Sequence, residues 1–318
     1  MSDPGGWTNP DQPRSDLPPA PPPPQPSGHG KPGVIPLRPL SVGEILDGAV
    51  TTMRRHPALV FGMSALVAVI SAALTFGANY LLLRDLPDLV APGPAASEQE
   101  QLNYASALLR QTSGSLGVTL VITVLTRTFL SGFMTVVVGK AVLGRPVALR
   151  EALTELRPRL LPLLALTIVY TIIVGVAAIF FVIPGIWLYV LFSLAAPALV
   201  LERSGIGEAL SRSRLLVRGT WWRVFGVLLL TVIAAVIIST ILQIPFNLQL
   251  GVGNIDSAEL ASMSVGTQLL SALGQVVAET VVTPFVAGAT VLLYIDQRMR
   301  KEGMDIQLAR AAGTTPSP

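Results

Sequence analysis

The sequence contains no cysteine and only two histidines, His29 and His56, which excludes disulfide frameworks, Cys/His zinc sites and thiol nucleophiles. Charge is scarce as well. Asp, Glu, Lys and Arg make up 13% of the 318 residues, against about a quarter in average soluble domains. With 51% hydrophobic residues and a mean hydropathy of +0.62, the chain does not read as a soluble globular protein. There is no glycine-rich phosphate loop with its lysine, no Ser/His pairing, and no pair of carboxylates on one predicted face inside the apolar segments. The chain is therefore expected to be no enzyme and to use no metal and no cofactor. The net charge is +3 and the pI about 9.5. No basic stripe is interleaved with aromatics, so nucleic acid is not an expected partner.

What is present begins with proline. Thirteen of the 26 prolines fall in residues 1–39, including the run from Pro18 to Pro24, where periodic apolar residues are almost absent. Such a segment cannot bury a core and is expected to be a disordered or polyproline II tail. Two roles fit it: a solvated tail, or a ligand for a cytoplasmic protein that recognises proline. It is not read as a signal peptide, because the first apolar run starts only at Ala58 and is too long for an h-region.

Beyond the tail, six stretches approach the roughly 20 apolar residues that cross about 30 Å of hydrocarbon. They cover approximately 58–83, 116–139, 160–183, 186–201, 224–244 and 268–294. The fourth, at 16 residues, reaches only about 24 Å as a helix. It either thins the bilayer, is completed by its flanks, or forms a re-entrant hairpin with the third. The fold class expected is all-α: a polytopic membrane domain over 40–300 between the tail and a C-terminal tail over 301–318.

Orientation follows from the cations. Residues 1–57, 140–159, 202–223 and 296–318 hold five, five, five and four Lys or Arg, together 19 of the 22 in the chain. The alternate connections hold only Arg84 and Arg110, and Arg127 lies inside a span. The positive-inside rule then puts both termini in the cytoplasm, in a multi-pass protein of the inner (plasma) membrane. Trp187 and Tyr189 are expected at the outer boundary, Trp221 and Trp222 at the inner one.

A short amphipathic pattern precedes spans one, three and five. Ser41 and Glu44 have the spacing of a capping box, and Val42, Ile45, Leu46, Ala49, Val50 and Met53 then recur at helical spacing. Glu44-Ile45-Leu46, Glu151-Ala152-Leu153 and Glu208-Ala209-Leu210 share one phase, and Val60-Phe61-Gly62 returns as Val224-Phe225-Gly226. This predicts three pseudo-repeats, each an amphipathic helix followed by a membrane hairpin. The helices are expected to lie flat on the cytoplasmic leaflet, with Arg54, Arg55, Arg150, Arg157, Arg212, Arg214 and Arg218 touching anionic lipid headgroups. The competing arrangement folds these helices over the cytoplasmic mouth of the bundle as a plug, with their apolar faces against protein instead of lipid.

Polar residues inside the spans mark the candidate site. Thr119, Thr123, Arg127, Ser131 and Thr135 follow one another at i, i+4 in span two, and Gln275, Glu279 and Thr283 do so in span six, with Pro284 next. Counted from the outer ends of the spans, Arg127 and Glu279 lie at equal depth, roughly 16 Å in. An ionisable residue at bilayer centre costs about 2.5–3.5 kcal/mol on insertion scales, so the two are expected to pair. The seam of Arg127, Glu279, Thr123, Ser131, Gln275 and Thr283 is either a structural lock or a path for an ion, a proton or a polar substrate. A packed, dry seam favours a non-catalytic scaffold or accessory factor of the bacterial envelope. A water-filled cavity favours a transporter of a small solute or lipid.

Several motifs carry a family resemblance. They are Arg38-Pro39-Leu40 with Gly43-Glu44-Ile45-Leu46-Asp47, Pro184-Gly185-Ile186-Trp187, Ala195 to Glu202, Ala209-Leu210-Ser211-Arg212-Ser213, and Tyr294 to Gly303. In these the chain resembles the bacterial membrane domain sometimes fused to glycerophosphodiester phosphodiesterases, which has stand-alone actinobacterial relatives of unknown function. The resemblance implies a multispanning membrane protein without catalysis, because a barrel of typically 250 residues has no room beside six spans.

Overall fold

The computed structural model describes residues 34–36, 38–83, 93, 96–248 and 265–303. The proline-rich tail and most of the C-terminal tail lie outside the described residues. Among those described, every regular element is helical.

Helix α1 (Val42–Arg55) starts at the capping box: the Glu44 N–H donates to Ser41 Oγ at 3.3 Å, and the Ser41 N–H donates to Glu44 Oε2 at 2.7 Å. That backbone donor, aided by the Arg38 guanidinium at 2.6 Å, holds the Glu44 carboxyl below the usual range. Helices α2 (Pro57–Leu83), α3 (Glu98–Val142), α9 (Trp221–Asn247) and α10 (Val265–Glu302) are the long rods of the bundle. Helix α10 packs against α1, α2, α3 and α9 and so forms its centre. Between α3 and α9 run α4 (Leu149–Leu156), α5 (Leu160–Phe180), α6 (Val182–Phe192), α7 (Ala195–Glu202) and α8 (Ile206–Val217). Six segments are long and apolar enough to cross a membrane, and they overlap the six stretches read from the sequence. Outward-facing residues such as Leu66, Ile172 and Val236 remain exposed, as lipid-facing side chains do.

Two features depart from the sequence reading. The fourth apolar segment is broken at Ser193 and Leu194, where the buried Ser213 hydroxyl of α8 caps the break: it donates to Leu191 O at 2.8 Å and accepts from the Leu194 N–H at 3.2 Å. Helix α6 alone, with 11 residues, reaches about 16 Å, half the hydrocarbon thickness. Trp187 lies beside Trp221, whose indole N–H donates to the Trp187 carbonyl at 3.4 Å. The two tryptophans assigned to opposite boundaries are neighbours.

The second departure concerns the short helices. Their apolar faces are covered by protein: Ala49 of α1, Ala152 of α4 and Ala209 of α8 are each 1% exposed or less. Helix α1 packs on α10, α4 on α3, and α8 on α6, α7 and α10. The expectation that these faces lie in lipid is therefore corrected: they are covered by neighbouring helices. An amphipathic stripe shows that a face must be covered, and here neighbouring helices are close enough to cover it.

Candidate functional site

The polar stripes of the spans converge on a cavity of about 410 Å³ between α2, α3, α9 and α10. Helix α3 contributes Thr123, Thr126 and Arg127; α10 contributes Gln275, Glu279 and Thr283; α9 adds Ser239 and Gln243, and α2 adds Ser71. Five of the six seam residues expected from the sequence line this space. Ser131 does not; one turn away along α3, its carbonyl accepts from Thr135 Oγ1 at 2.7 Å.

The expected pairing is the part that changes. Arg127 and Glu279 share the cavity, yet no ion pair joins them, and Arg127 makes no hydrogen bond or ion pair among the described residues. Glu279 is oriented instead by its own helix, where Gln275 Nε2 donates to its Oε1 at 3.0 Å. Gln243 Nε2 donates to Ser239 Oγ at 2.7 Å in the same manner across one turn of α9. Equal depth fixes height along a helix; it does not fix the lateral gap between two side chains.

Both α9 and α10 carry a proline at the level of the cavity, Pro245 and Pro284. Pro284 cannot donate to the carbonyl of Thr280, which leaves that oxygen without its usual intrahelical partner. Ser64 of α2 and Thr128 of α3 are buried with hydroxyls that lack a partner. Ser64 lies two turns from Ser71 along α2, and Thr128 follows Arg127. Neither residue lines the cavity, so these two hydroxyls belong to the packed part of the bundle.

A second polar assembly lies at the opposite end of the spans, where α1, α8 and the end of α10 meet. Asp296, 0% exposed, takes up the Arg223 and Arg300 guanidinium groups at 3.0 and 2.9 Å and the Leu40 N–H at 2.8 Å. The Leu40 carbonyl in turn accepts from both guanidinium groups at 2.7 Å. Glu202 accepts from Arg212 at 2.9 Å and from the Tyr294 hydroxyl, and Arg298 and Glu302 complete the cluster. Thr220 Oγ1 donates to Gln297 Oε1 at 2.9 Å. Four of the five motifs that carry the family resemblance contribute side chains or backbone to these two clusters, Pro184 to Trp187 being the exception, and sequence reading did not assemble them because their members are up to 260 residues apart.

The seven arginines expected on lipid divide accordingly. Arg212 is held by Glu202 and Glu302, while Arg54, Arg55, Arg150, Arg157, Arg214 and Arg218 are exposed on this same end of the molecule. Along α3, 13 residues separate Arg127 from Lys140, which pairs with Glu151 and Glu155 of α4; along α10, 17 residues separate Glu279 from Asp296. The cavity therefore lies roughly 20–25 Å from the charged end, in the far half of the bundle.

Residues 115–296 match a family described as a domain of unknown function, DUF7847. No curated protein and no solved structure matches the chain.

Proposed function

The chain belongs to the DUF7847 family, whose description assigns no role, and we propose that it is a non-catalytic, multi-pass transporter of a small polar solute. The single observation that carries this reading is the cavity of about 410 Å³ lined by Arg127 and Glu279, which no ion pair joins to each other or to another described residue. A structural lock would bring the two charges together, because an unpaired charge inside a membrane is costly. A cavity of this size falls at the small end of the roughly 300–1,000 Å³ typical of ligand sites. Proline inside a helix beside a polar site removes a backbone donor there and leaves a carbonyl free to meet a solute.

The test is uptake by the full chain reconstituted in liposomes, offered a mixture of amino acids, betaines, polyamines, organic acids and sugars and read by mass spectrometry. At least one class should accumulate above empty liposomes. Arg127→Gln and Glu279→Gln should each lower that uptake by about tenfold or more, the loss expected for one charge-assisted contact. Uptake equal to empty liposomes for every class overturns the reading.

The scaffold reading keeps one supporting observation, the ion network that ties Leu40, next to the proline-rich tail, to Asp296. A docking role would use the tail as its ligand and the exposed arginines as a rim against anionic lipid. An accessory role in lipid-phosphodiester turnover is suggested by the motif resemblance alone.

The orientation belongs to this reading as well. The 19 cations of the charged side favour a cytoplasmic location for both termini in the plasma membrane. Reporter fusions at residues 310 and 100 should give cytoplasmic and external signals respectively. The opposite signal at either position overturns the topology.

A further inference from the structure

We infer that the solute of this cavity is a small zwitterion, with its anionic group at Arg127 and its cationic group at Glu279. The inference rests on reading the cavity as a binding site for a polar solute. Its basis is charge matching. One cation and one anion line the same space without meeting each other. In a low-dielectric surrounding each attracts an opposite charge strongly. A simple anion would answer Arg127 and leave Glu279 facing it; a simple cation would do the reverse, and a neutral solute would leave both unanswered. Only a ligand that carries both signs at a distance satisfies the two walls together.

The details agree with that assignment. Gln275 occupies one carboxylate oxygen of Glu279 at 3.0 Å and leaves the other available. The Arg127 guanidinium, held by no hydrogen bond or ion pair among the described residues, keeps its planar fork for a carboxylate or phosphate. Thr123, Thr126 and Thr283 line the same cavity and offer hydroxyls to the body of such a ligand. The shared chemistry has two sources, a free zwitterion such as an amino acid or the headgroup of a zwitterionic lipid.

The experiment measures binding to the full chain in detergent, with γ-aminobutyrate and glycine betaine as free zwitterions and acetate and tetramethylammonium as single-charge controls. A parallel arm places the chain in nanodiscs containing phosphatidylethanolamine and phosphatidylglycerol and identifies retained lipid by native mass spectrometry. At least one zwitterion, free or lipid, should bind about tenfold or more tightly than its single-charge counterparts. Glu279→Gln should lose that preference and turn the site toward acetate, and Arg127→Gln should turn it toward tetramethylammonium. The exchange of both charges, Arg127→Glu with Glu279→Arg, should restore zwitterion binding, because the ligand can turn end for end. Melting of each variant without ligand reports whether it has folded, and the exchange variant keeps the test decisive where a single variant has not.

Selective retention of phosphatidylethanolamine supports the lipid source, and selective binding of the free zwitterions supports the soluble one. Equal binding of single-charge controls, or zwitterion binding unchanged in both folded single variants, overturns the inference. Uptake of another solute class while zwitterions are ignored overturns it and leaves the transport reading standing. Zwitterion binding without uptake does the opposite.

Discussion

An Asp296→Ala chain should lose about 3 kcal/mol of stability, the lower end of the 3–5 kcal/mol range for breaking a buried ion pair. Asp296 is 0% exposed and has three kinds of partner: the Leu40 N–H, the Arg223 guanidinium and the Arg300 guanidinium. Removing the carboxylate strands the Leu40 N–H in the core, because Leu40 is itself 0% exposed. The two guanidinium groups are 28% and 32% exposed and can recover some hydration, which sets the cost at the low end. They also both donate to the Leu40 carbonyl, so the segment before α1 should loosen with them. Asp296→Asn keeps an acceptor for the Leu40 N–H and should cost less than Asp296→Ala. Thermal unfolding in detergent measures both. A loss for Asp296→Ala below about 1 kcal/mol, the scale of an exposed pair, would show that the network is decorative.

This network was invisible in the sequence for a definite reason. Asp296 and Arg300 are one helical turn apart and read as an ordinary i, i+4 pair. Arg223 and Leu40 join them only through the packing of α9 and α1 on α10, and nothing local encodes that contact. The cavity was more legible, since hydroxyls, amides and charges at i, i+4 inside an apolar run must share a helix face. That logic found Thr123, Arg127, Gln275, Glu279 and Thr283. Ser239 and Gln243 carry the same spacing on α9 and offered the same signal, whereas Ser71 is a single hydroxyl with no periodic partner lining the cavity.

The short helices show where an apolar stripe stops being informative. Their faces were readable, but lipid and protein are equally apolar covers, and only the positions of α3, α7 and α10 choose between them. With those faces buried, the exposed arginines sit on the outer surface of the charged end. The cavity, roughly 20 Å or more along the spans, is left to the uncharged polar groups and the pair Arg127 and Glu279. Ion pairs are thus satisfied within protein at the charged end, while the two charges that line the cavity are not joined by an ion pair.

The α5 and α6 hairpin gives the other large expected effect. Gly185 packs so closely on α5 that a Cβ would lie 2.8 Å from Ala178 Cα and 3.1 Å from its nitrogen. Those are backbone atoms, which cannot rotate aside as a leucine end can, so Gly185→Ala must push the two helices apart. Overpacking of this kind costs about 1–3 kcal/mol. The separation also lengthens the Tyr170 hydroxyl contact to the Tyr189 carbonyl, already 3.4 Å, and opens the ring pair now 6.1 Å between centroids. Gly175, on the same hairpin, has nothing within 4 Å of a built Cβ. Gly175→Ala should therefore stabilise α5 by about 0.5–1 kcal/mol, the helical preference of alanine over glycine. Thermal unfolding of the two variants in one detergent compares them directly, and the melting temperatures should move in opposite directions. Equal shifts, or a Gly185→Ala chain as stable as the parent, would mean that the close approach of α5 and α6 does not hold in the folded protein.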